Sequence, residues 1–401
     1  MTNKTTSRFP AILLGGPPHA GKSVLAYSLK EALRENGVQC YLLRAAPDGE
    51  GDWSQLAQPE LAQTLRRKGK HTPTWIERMC RDIAYRPLPF LVDVGGKPEP
   101  WQETLFDQCT HAILLVKDAE SQALWQELTA KYNIPVLALL TSKLEGGSIL
   151  EADQPILTGV ISNLNRGQRA TGPIFEALLA RVQALFRYDY DELLTIHQEQ
   201  APTDLVVDIP RLYRRINPTR SGLTWQPQDL PAVFEYLPPD TSLALYGIGP
   251  AWLYAAVASY IYPNTFFQFD ARRGWVEPVR FSKNRSDTLP IKVKAEENEN
   301  CLHLKLDLLE DYLVYQPELA LPLPSSSQTQ GVILDGKLPN WLYTGLTLFY
   351  RSAQYVAIYY PHLDRAVIVA SQFTKGPHAV GQVLSLADCG PFNAETDPTP
   401  S

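Results

Sequence analysis

The residues best suited to chemistry lie near the amino terminus, where Gly16, Pro17, Pro18, His19, Ala20, Gly21, Lys22 and Ser23 fit the spacing G-x-x-x-x-G-K-[ST]. Glycines at these positions let the backbone curl until its N–H groups and the start of a helix face a phosphate. Gly16, His19, Ala20, Gly21, Lys22 and Ser23 are therefore the candidate nucleotide-binding residues. Lys22 would set its charge between β- and γ-phosphates, and Ser23 would offer a hydroxyl to Mg²⁺. A second metal-holding group is expected at the end of an apolar strand, and Phe90-Leu91-Val92-Asp93 supplies it, pairing Ser23 with Asp93 as metal ligands. The expected cofactors are ATP and Mg²⁺. Gly95 and Gly96 follow Asp93 and allow a backbone N–H to approach a γ-phosphate. The stretch Arg44 to Asp52 is acid-rich, and one of Asp48, Glu50 or Asp52 would serve as a base there, with Asp48 taken as the catalytic candidate; a merely solvated loop reads equally well. Arg66, Arg67, Lys68 and Lys70 form a basic cluster that is either a lid over phosphates or an exposed helix end. Thr141, Ser142 and Lys143, at a strand end, are candidates for touching a nucleobase.

Such a loop works only between a strand and a helix, and the sequence provides both. Apolar runs at Ala11–Leu14, Cys40–Leu43, Phe90–Val94, His111–Val116, Val136–Thr141 and Ile156–Val160 are short and continuous rather than alternating, as strands buried on both faces should be. Helical patterns intervene. Ser23–Asn36 places Val24, Leu25, Leu29, Ala32 and Leu33 on one stripe and stops at Gly37, while Pro173–Phe186 opens on a proline and carries Ile174, Leu178, Val182 and Leu185. Alternation of this kind predicts an α/β domain of the P-loop NTPase type, a parallel sheet with helices on both faces, over residues 1–190.

With 401 residues the chain should divide into at least two folding units. Its 44% hydrophobic and 20% charged composition is that of a globular protein, and no run approaches the roughly 20 apolar residues of a membrane span. A net charge of −6 argues against duplex DNA or anionic lipid as whole-surface partners. The five cysteines are odd in number and scattered, without a C-x-x-C pair, so a reduced thiol state is expected. With no signal-peptide core behind Met1–Pro10, a cytoplasmic location is expected.

After a linker at residues 191–203 the composition shifts to proline, tyrosine and tryptophan, and an internal repeat emerges. Tyr246-Gly-Ile-Gly-Pro-Ala-Trp-Leu-Tyr254 is echoed by Asp335-Gly-Lys-Leu-Pro-Asn-Trp-Leu-Tyr343. Each copy runs into a helix of about ten residues and then an apolar strand, Thr265–Phe269 or Tyr355–Tyr359. Two modules are thus expected, at residues 204–290 and 291–390, before a tail at 391–401. Near the first copy, Arg272, Arg273, Trp275, Arg280, Lys283 and Arg285 set cations beside an aromatic, the combination that grips phosphates and stacks bases. Arg211, Arg214, Arg215 and Arg220 form a second basic group. Trp252 and Trp341, at matching repeat positions, read as core residues.

The second copy, with Gly331-Val-Ile-Leu-Asp-Gly-Lys-Leu-Pro-Asn-Trp-Leu-Tyr, then Val356-Ala-Ile-Tyr-Tyr-Pro-His-Leu and Ala366-Val-Ile-Val-Ala-Ser, resembles the CRISPR-associated ring nuclease three (Csx-three) family. The first half, with its GGPPHAGKS loop and RAAPDGEGDW segment, looks like the P-loop AAA-type domain found fused to such modules. The resemblance implies a type III CRISPR accessory protein in antiviral defence. Family members bind the second messenger cyclic tetra-adenylate between module dimers and cleave it as phosphodiesterases, with manganese dependence also associated with them. It implies two tandem α+β ferredoxin-like modules, and a homo-oligomer, dimer or tetramer, closing around one ring. It further implies that Arg272, Arg273, Lys337 and Ser352 contact the ring. The D-x-R of the family survives in copy one as Asp270-Ala271-Arg272, marking Asp270 and Arg272 as catalytic, whereas copy two has Tyr360-Pro361-His362, where His362 would take over. At the family's catalytic histidine, copy two has Ser352 and copy one Tyr262 or Pro263. Cleavage with reduced acid–base help, or ring sensing with the first domain as ATPase or kinase output, both follow from that departure. An ordinary nucleotide or small-molecule kinase with an unrelated second half is the third reading.

Overall fold

Each apolar run of the first half becomes a strand. The computed structural model describes residues 9–45, 73–96, 98–281, 290–309 and 313–389. By contacts the chain divides into one unit of Met1–His197 with Ala271–Gly274, and a second of Gln198–Asp270 with Trp275–Ser401.

The first unit contains β1 (Ala11–Gly15), α1 (Lys22–Glu35), β2 (Tyr41–Arg44), α2 (Pro73–Ala84), β3 (Phe90–Asp93), β4 (His111–Val116), α3 (Ala119–Lys131), β5 (Val136–Lys143), β6 (Ile149–Ala152), β7 (Leu157–Ser162), α4 (Pro173–Leu185) and α5 (Tyr190–Glu199). Its sheet runs β2-β3-β1-β4-β5-β7-β6 and is parallel except for β6, which pairs antiparallel with β7. This is an α/β domain with a largely parallel sheet. Every residue of β1 and β3 is buried, which explains their unbroken apolar sequence. One face packs Leu25, Leu29 and Leu33 of α1 and Ile174, Leu178 and Val182 of α4 on Ile12, Leu14, Ile113 and Leu140. Each such leucine contributes about 1.5–3 kcal/mol when fully buried. At the other end of α1, Gly37 takes φ 76° and closes the helix, as the sequence pattern predicts.

The second unit contains β8 (Leu205–Asp208), α6 (Ile209–Ile216), α7 (Leu230–Tyr236), β9 (Leu243–Tyr246), α8 (Ala251–Ile261), β10 (Phe266–Asp270), β11 (Gly274–Val276), β12 (Arg280–Phe281), β13 (Ile291–Glu297), β14 (Cys301–Leu308), β15 (Glu318–Leu319), β16 (Gly331–Gly336), α9 (Asn340–Phe349), β17 (Tyr355–Tyr360), β18 (Arg365–Ser371) and β19 (Val383–Leu384). A four-stranded sheet is ordered β11-β10-β9-β8, with β8, β9 and β10 parallel; a six-stranded sheet is ordered β13-β14-β16-β17-β18-β19, with β14, β16 and β17 parallel. A ferredoxin-like module needs a β-α-β-β-α-β order. Neither sheet has it among the described residues, because helical crossovers join β8 to β9, β9 to β10 and β16 to β17 in parallel.

The repeat is real at the level of backbone geometry. Pro250 and Pro339 precede α8 and α9 with φ, ψ of −68°, 149° and −67°, 150°. Tyr254 donates its hydroxyl proton to the carbonyl of Gly247 at 2.5 Å, and Tyr343 does the same to Gly336. The two copies are not separately packed, however. Trp252, Leu253 and Val257 of α8, Trp341, Leu342 and Leu346 of α9, and Leu304, Val332, Leu334 and Val356 of the larger sheet share one hydrophobic core.

Candidate functional site

The loop between β1 and α1 is built from backbone that favours glycine. Gly16 has φ 150° and Gly21 φ 83°, and His19 is left-handed at φ 57°. A side chain at Gly16 would drive its Cβ to 2.0 Å from the Leu115 carbonyl oxygen, so the β4 backbone also excludes one. Ala20 is buried, which fixes the loop's apex against the core. The Lys22 ammonium donates to the carbonyls of Gly16 at 2.9 Å and Pro17 at 2.8 Å, folding its stem back over the loop. Lys117 donates to the Pro18 carbonyl at 2.8 Å.

Parallel pairing of β1 with β3 sets Leu14 opposite Asp93, and this register delivers Asp93 to the loop. Ser23 Oγ donates to Asp93 Oδ2 at 2.8 Å, and the Gly95 N–H donates to Oδ1 at 3.3 Å. Asp93 is only 3% exposed, so its oxygens are met by protein donors rather than by bulk water. The structure thus brings together Gly16, His19, Ala20, Gly21, Lys22, Ser23 and Asp93. Asp48, the acidic loop around it and the basic cluster at Arg66–Lys70 lie outside the described residues. Thr141–Lys143 end β5, on the carboxyl edge of the same sheet.

The residues expected to handle a cyclic nucleotide are dispersed. Residues Ala271–Gly274 belong by contacts to the first unit, and there Arg272 and Arg273 both pair with Asp82 of α2, Arg272 at 2.6 Å and Arg273 at 3.0 Å. Their side chains are 12% and 13% exposed, so these arginines are engaged structural groups as well as candidate ligands of phosphate. Asp270, the last residue of β10, is near enough to Tyr254 to add to the burial that pushes that phenol up. Among the other basic residues, Arg220 is paired with Asp229 at 2.9 Å. Lys283 and Arg285 lie outside the described residues. Trp252 and Trp341 are core residues, as their sequence positions predict.

In the larger sheet, a crossover helix must run against the strands it joins, so its start lies at their carboxyl edge and its end at their amino edge. Lys337 follows β16 and His362 follows β17, so both stand at the carboxyl edge; the His362 ring is 5.1 Å from that of Tyr360. Ser352 follows the end of α9 and precedes β17, at the opposite edge. Copy one repeats this. Tyr262 follows α8, while Asp270 ends β10, and the Tyr262 ring carries the Arg351 guanidinium 3.7 Å from its centre.

One cluster was not anticipated. His303, only 1% exposed, sits on the face of β14 turned from the shared core, between two acids: its Nε2 lies 3.2 Å from Asp335 Oδ2 and its Nδ1 3.7 Å from Glu296 Oε2. Lys305 donates to Glu296 Oε1 at 2.6 Å and is directly opposite Asp335 in the parallel register. Asp335 is also felt by two phenols: burial and then Asp335 raise Tyr343, while Tyr359 is raised first by its hydrogen bond to Asp364 and least by Asp335. The sequence signal was the alternation Cys301, His303, Lys305, Asp307 against Leu302, Leu304, Leu306, which puts a histidine and a lysine on one strand face; only the register to β16 reveals the acid beside them.

Residues 307–385 match the family model described as CRISPR-associated protein (Cas_csx3). The match runs from the end of β14 through β19 and takes in Asp335, Lys337, Ser352 and His362. It supports a domain of that family in the second repeat, and a CRISPR-associated role with it; the first half of the chain lies outside it. No curated protein matches the chain. Among the described residues no helix is long and apolar enough to cross a membrane.

Proposed function

We propose that the protein is a type III CRISPR accessory enzyme whose second unit binds cyclic tetra-adenylate and opens it as a ring nuclease, and whose first unit binds ATP through the loop Gly16–Ser23. The observation that carries this reading is the CRISPR-associated family match over residues 307–385, with its polar residues at the carboxyl edge of parallel strands, where open α/β sheets place ligands. Lys337 and His362 at that edge suit a phosphodiester. Asp270, Arg272, Arg273 and Ser352 are the further candidates. Since residues from both sheet edges are needed to meet one ring, a homo-oligomer is the natural assembly.

For the first unit, the support is the juxtaposition of Lys22, Ser23 and Asp93. Ser23 and Asp93 offer hard oxygens side by side, which fits a magnesium ion shared with nucleotide phosphates, and manganese takes the same donors. Bound there, the ion would neutralise β- and γ-phosphate charge. Lys22 would exchange its carbonyl partners for phosphate oxygens, and the loop's N–H groups would hold the rest of the charge.

A sensor that binds the ring without cutting it is the second reading, favoured by one observation: the positions matching the family's catalytic histidine hold Tyr262, Pro263 and Ser352. Labelled cyclic tetra-adenylate, incubated with the protein with and without ATP and Mg²⁺ or Mn²⁺, separates the two. Linear adenylate from wild type, reduced in Lys337→Ala, supports the nuclease. Tight binding with the ring intact supports the sensor, and no binding overturns both. Lys22→Ala should lose ATP binding, measured by calorimetry, by at least tenfold.

A further inference from the structure

We propose that Asp335 is the general base of the ring-opening reaction and that the buried His303 is its positioning residue, an assignment that rests on the ring-nuclease reading above. No histidine is available at the end of either repeat helix, so a base must come from elsewhere, and the carboxyl edge of β14, β16 and β17 offers one built into the sheet. Asp335 is the penultimate residue of β16, two before Lys337, and its side chain is 26% exposed, open enough to meet a ligand. Its carboxylate has a fixed orientation because a carboxylate only accepts hydrogen bonds. The proton between it and His303 therefore sits on Nε2, and Asp335 Oδ2 is the acceptor at 3.2 Å.

The histidine is held in turn. Its Nδ1 faces Glu296 Oε2 at 3.7 Å, and the other Glu296 oxygen is tied to Lys305 at 2.6 Å. The charged groups that face His303 include Glu296 on β13 and Asp335 on β16, with Lys305 on β14 bound to Glu296, while Tyr343 and Tyr359 lie near enough to Asp335 to feel its charge. A histidine that only filled the core would not need an acid on each side. An acid that only capped a strand would not be backed by a ring 1% exposed.

The chemistry follows from that placement. Asp335 takes the proton of a ribose 2′-hydroxyl as its oxygen attacks the adjacent phosphorus. The new O2′–P bond forms as the P–O5′ bond breaks, the departing 5′-oxygen takes a proton from water, and the hydroxide so formed takes back the proton held by Asp335, which regenerates the carboxylate. The products are a 2′,3′-cyclic phosphate and a free 5′-hydroxyl, with one proton moved from O2′ to O5′ and no oxidant or reductant required. His303 touches none of the reacting atoms and acts through the carboxylate it aims.

The test uses the full chain and labelled cyclic tetra-adenylate. Asp335→Asn should lower kcat on the order of 10² to 10⁴-fold with KM little changed, as loss of a general base does. His303→Leu should lower kcat at least tenfold at unchanged KM, and His303→Gln, whose amide nitrogen can still donate toward Asp335, should recover most of it. Thermal midpoints of all variants separate lost aim from lost fold. If wild type cleaves the ring and Asp335→Asn cleaves it equally well, the assignment is wrong whatever the His303 variants do. Equal turnover by His303→Leu and wild type removes the positioning role. Failure of wild type to cleave overturns the ring-nuclease reading itself, and this inference with it.

Discussion

At the scale of single residues, the polar groups in this protein differ in how much of their partnership a solvent change can undo. Glu103 is 8% exposed and accepts from Lys131 at 2.6 Å and Tyr132 at 2.9 Å. The hydrogen bond from Lys131 is the main reason its carboxyl is held below the ordinary carboxylate range. A depressed carboxyl stabilises the fold above its unfolded pKa and stops doing so as pH falls through the folded one. Glu103→Gln should therefore be less stable than wild type at neutral pH and approach it below about pH 4. The neutral-pH difference should be about 1 kcal/mol or less, since the Lys131 side chain is 58% exposed and solvent screens the pair. Urea midpoints at pH 7 and pH 3 check it; a gap that widens in acid would contradict the assignment.

At the scale of elements, helices and sheets meet at distances set by a few small residues. Gly345 is in the middle of α9, and a Cβ there would stand 2.4 Å from the backbone carbonyl oxygen of Val279. Two effects oppose one another in Gly345→Ala. Helix propensity gains roughly 1 kcal/mol, while overpacking against a backbone atom that cannot rotate away costs typically about 1–3 kcal/mol. Overpacking wins, so the variant should unfold at lower denaturant concentration with its m-value unchanged. Which elements the sequence disclosed depends on the same local physics. The six parallel strands of the first unit were legible because each carries a short apolar run, fully buried in β1 and β3, whereas β6, an antiparallel edge strand with all four residues exposed, left no such trace. The loop Gly16–Ser23 was legible because its tight backbone demands glycine at fixed spacing, with Gly16 and Gly21 at positive φ. Partnerships that depend on register or on distant segments were not: His303 with Asp335 needs the β14–β16 pairing, and Arg272 with Asp82 joins residues 190 apart in sequence.

At the scale of the whole molecule, the duplication seen in the sequence suggests two folding modules, but helices and strands of both copies share the main hydrophobic core of the second unit. A buried polar contact within that core makes this testable. Thr344 of α9, fully buried, hydrogen-bonds Gln268 of β10 at 2.8 Å, and its hydroxyl also reaches its own helix at the Asn340 carbonyl, 2.7 Å away. Thr344→Val leaves the Gln268 oxygen buried without that donor, at a cost of about 1–3 kcal/mol. Gln268→Leu alone frees the Thr344 hydroxyl to serve only Asn340 and should cost less. The double variant replaces both polar ends by carbon and should be more stable than the sum of the single changes predicts, a coupling of at least about 0.5 kcal/mol across the repeat boundary. Hydrogen exchange gives the complementary readout. If the copies share one cooperative core, Thr344→Val raises exchange in β9 and β10 as much as in β16 and β17. Additive free energies, or faster exchange confined to the second copy, would mean that the repeats fold as independent halves despite their common interior.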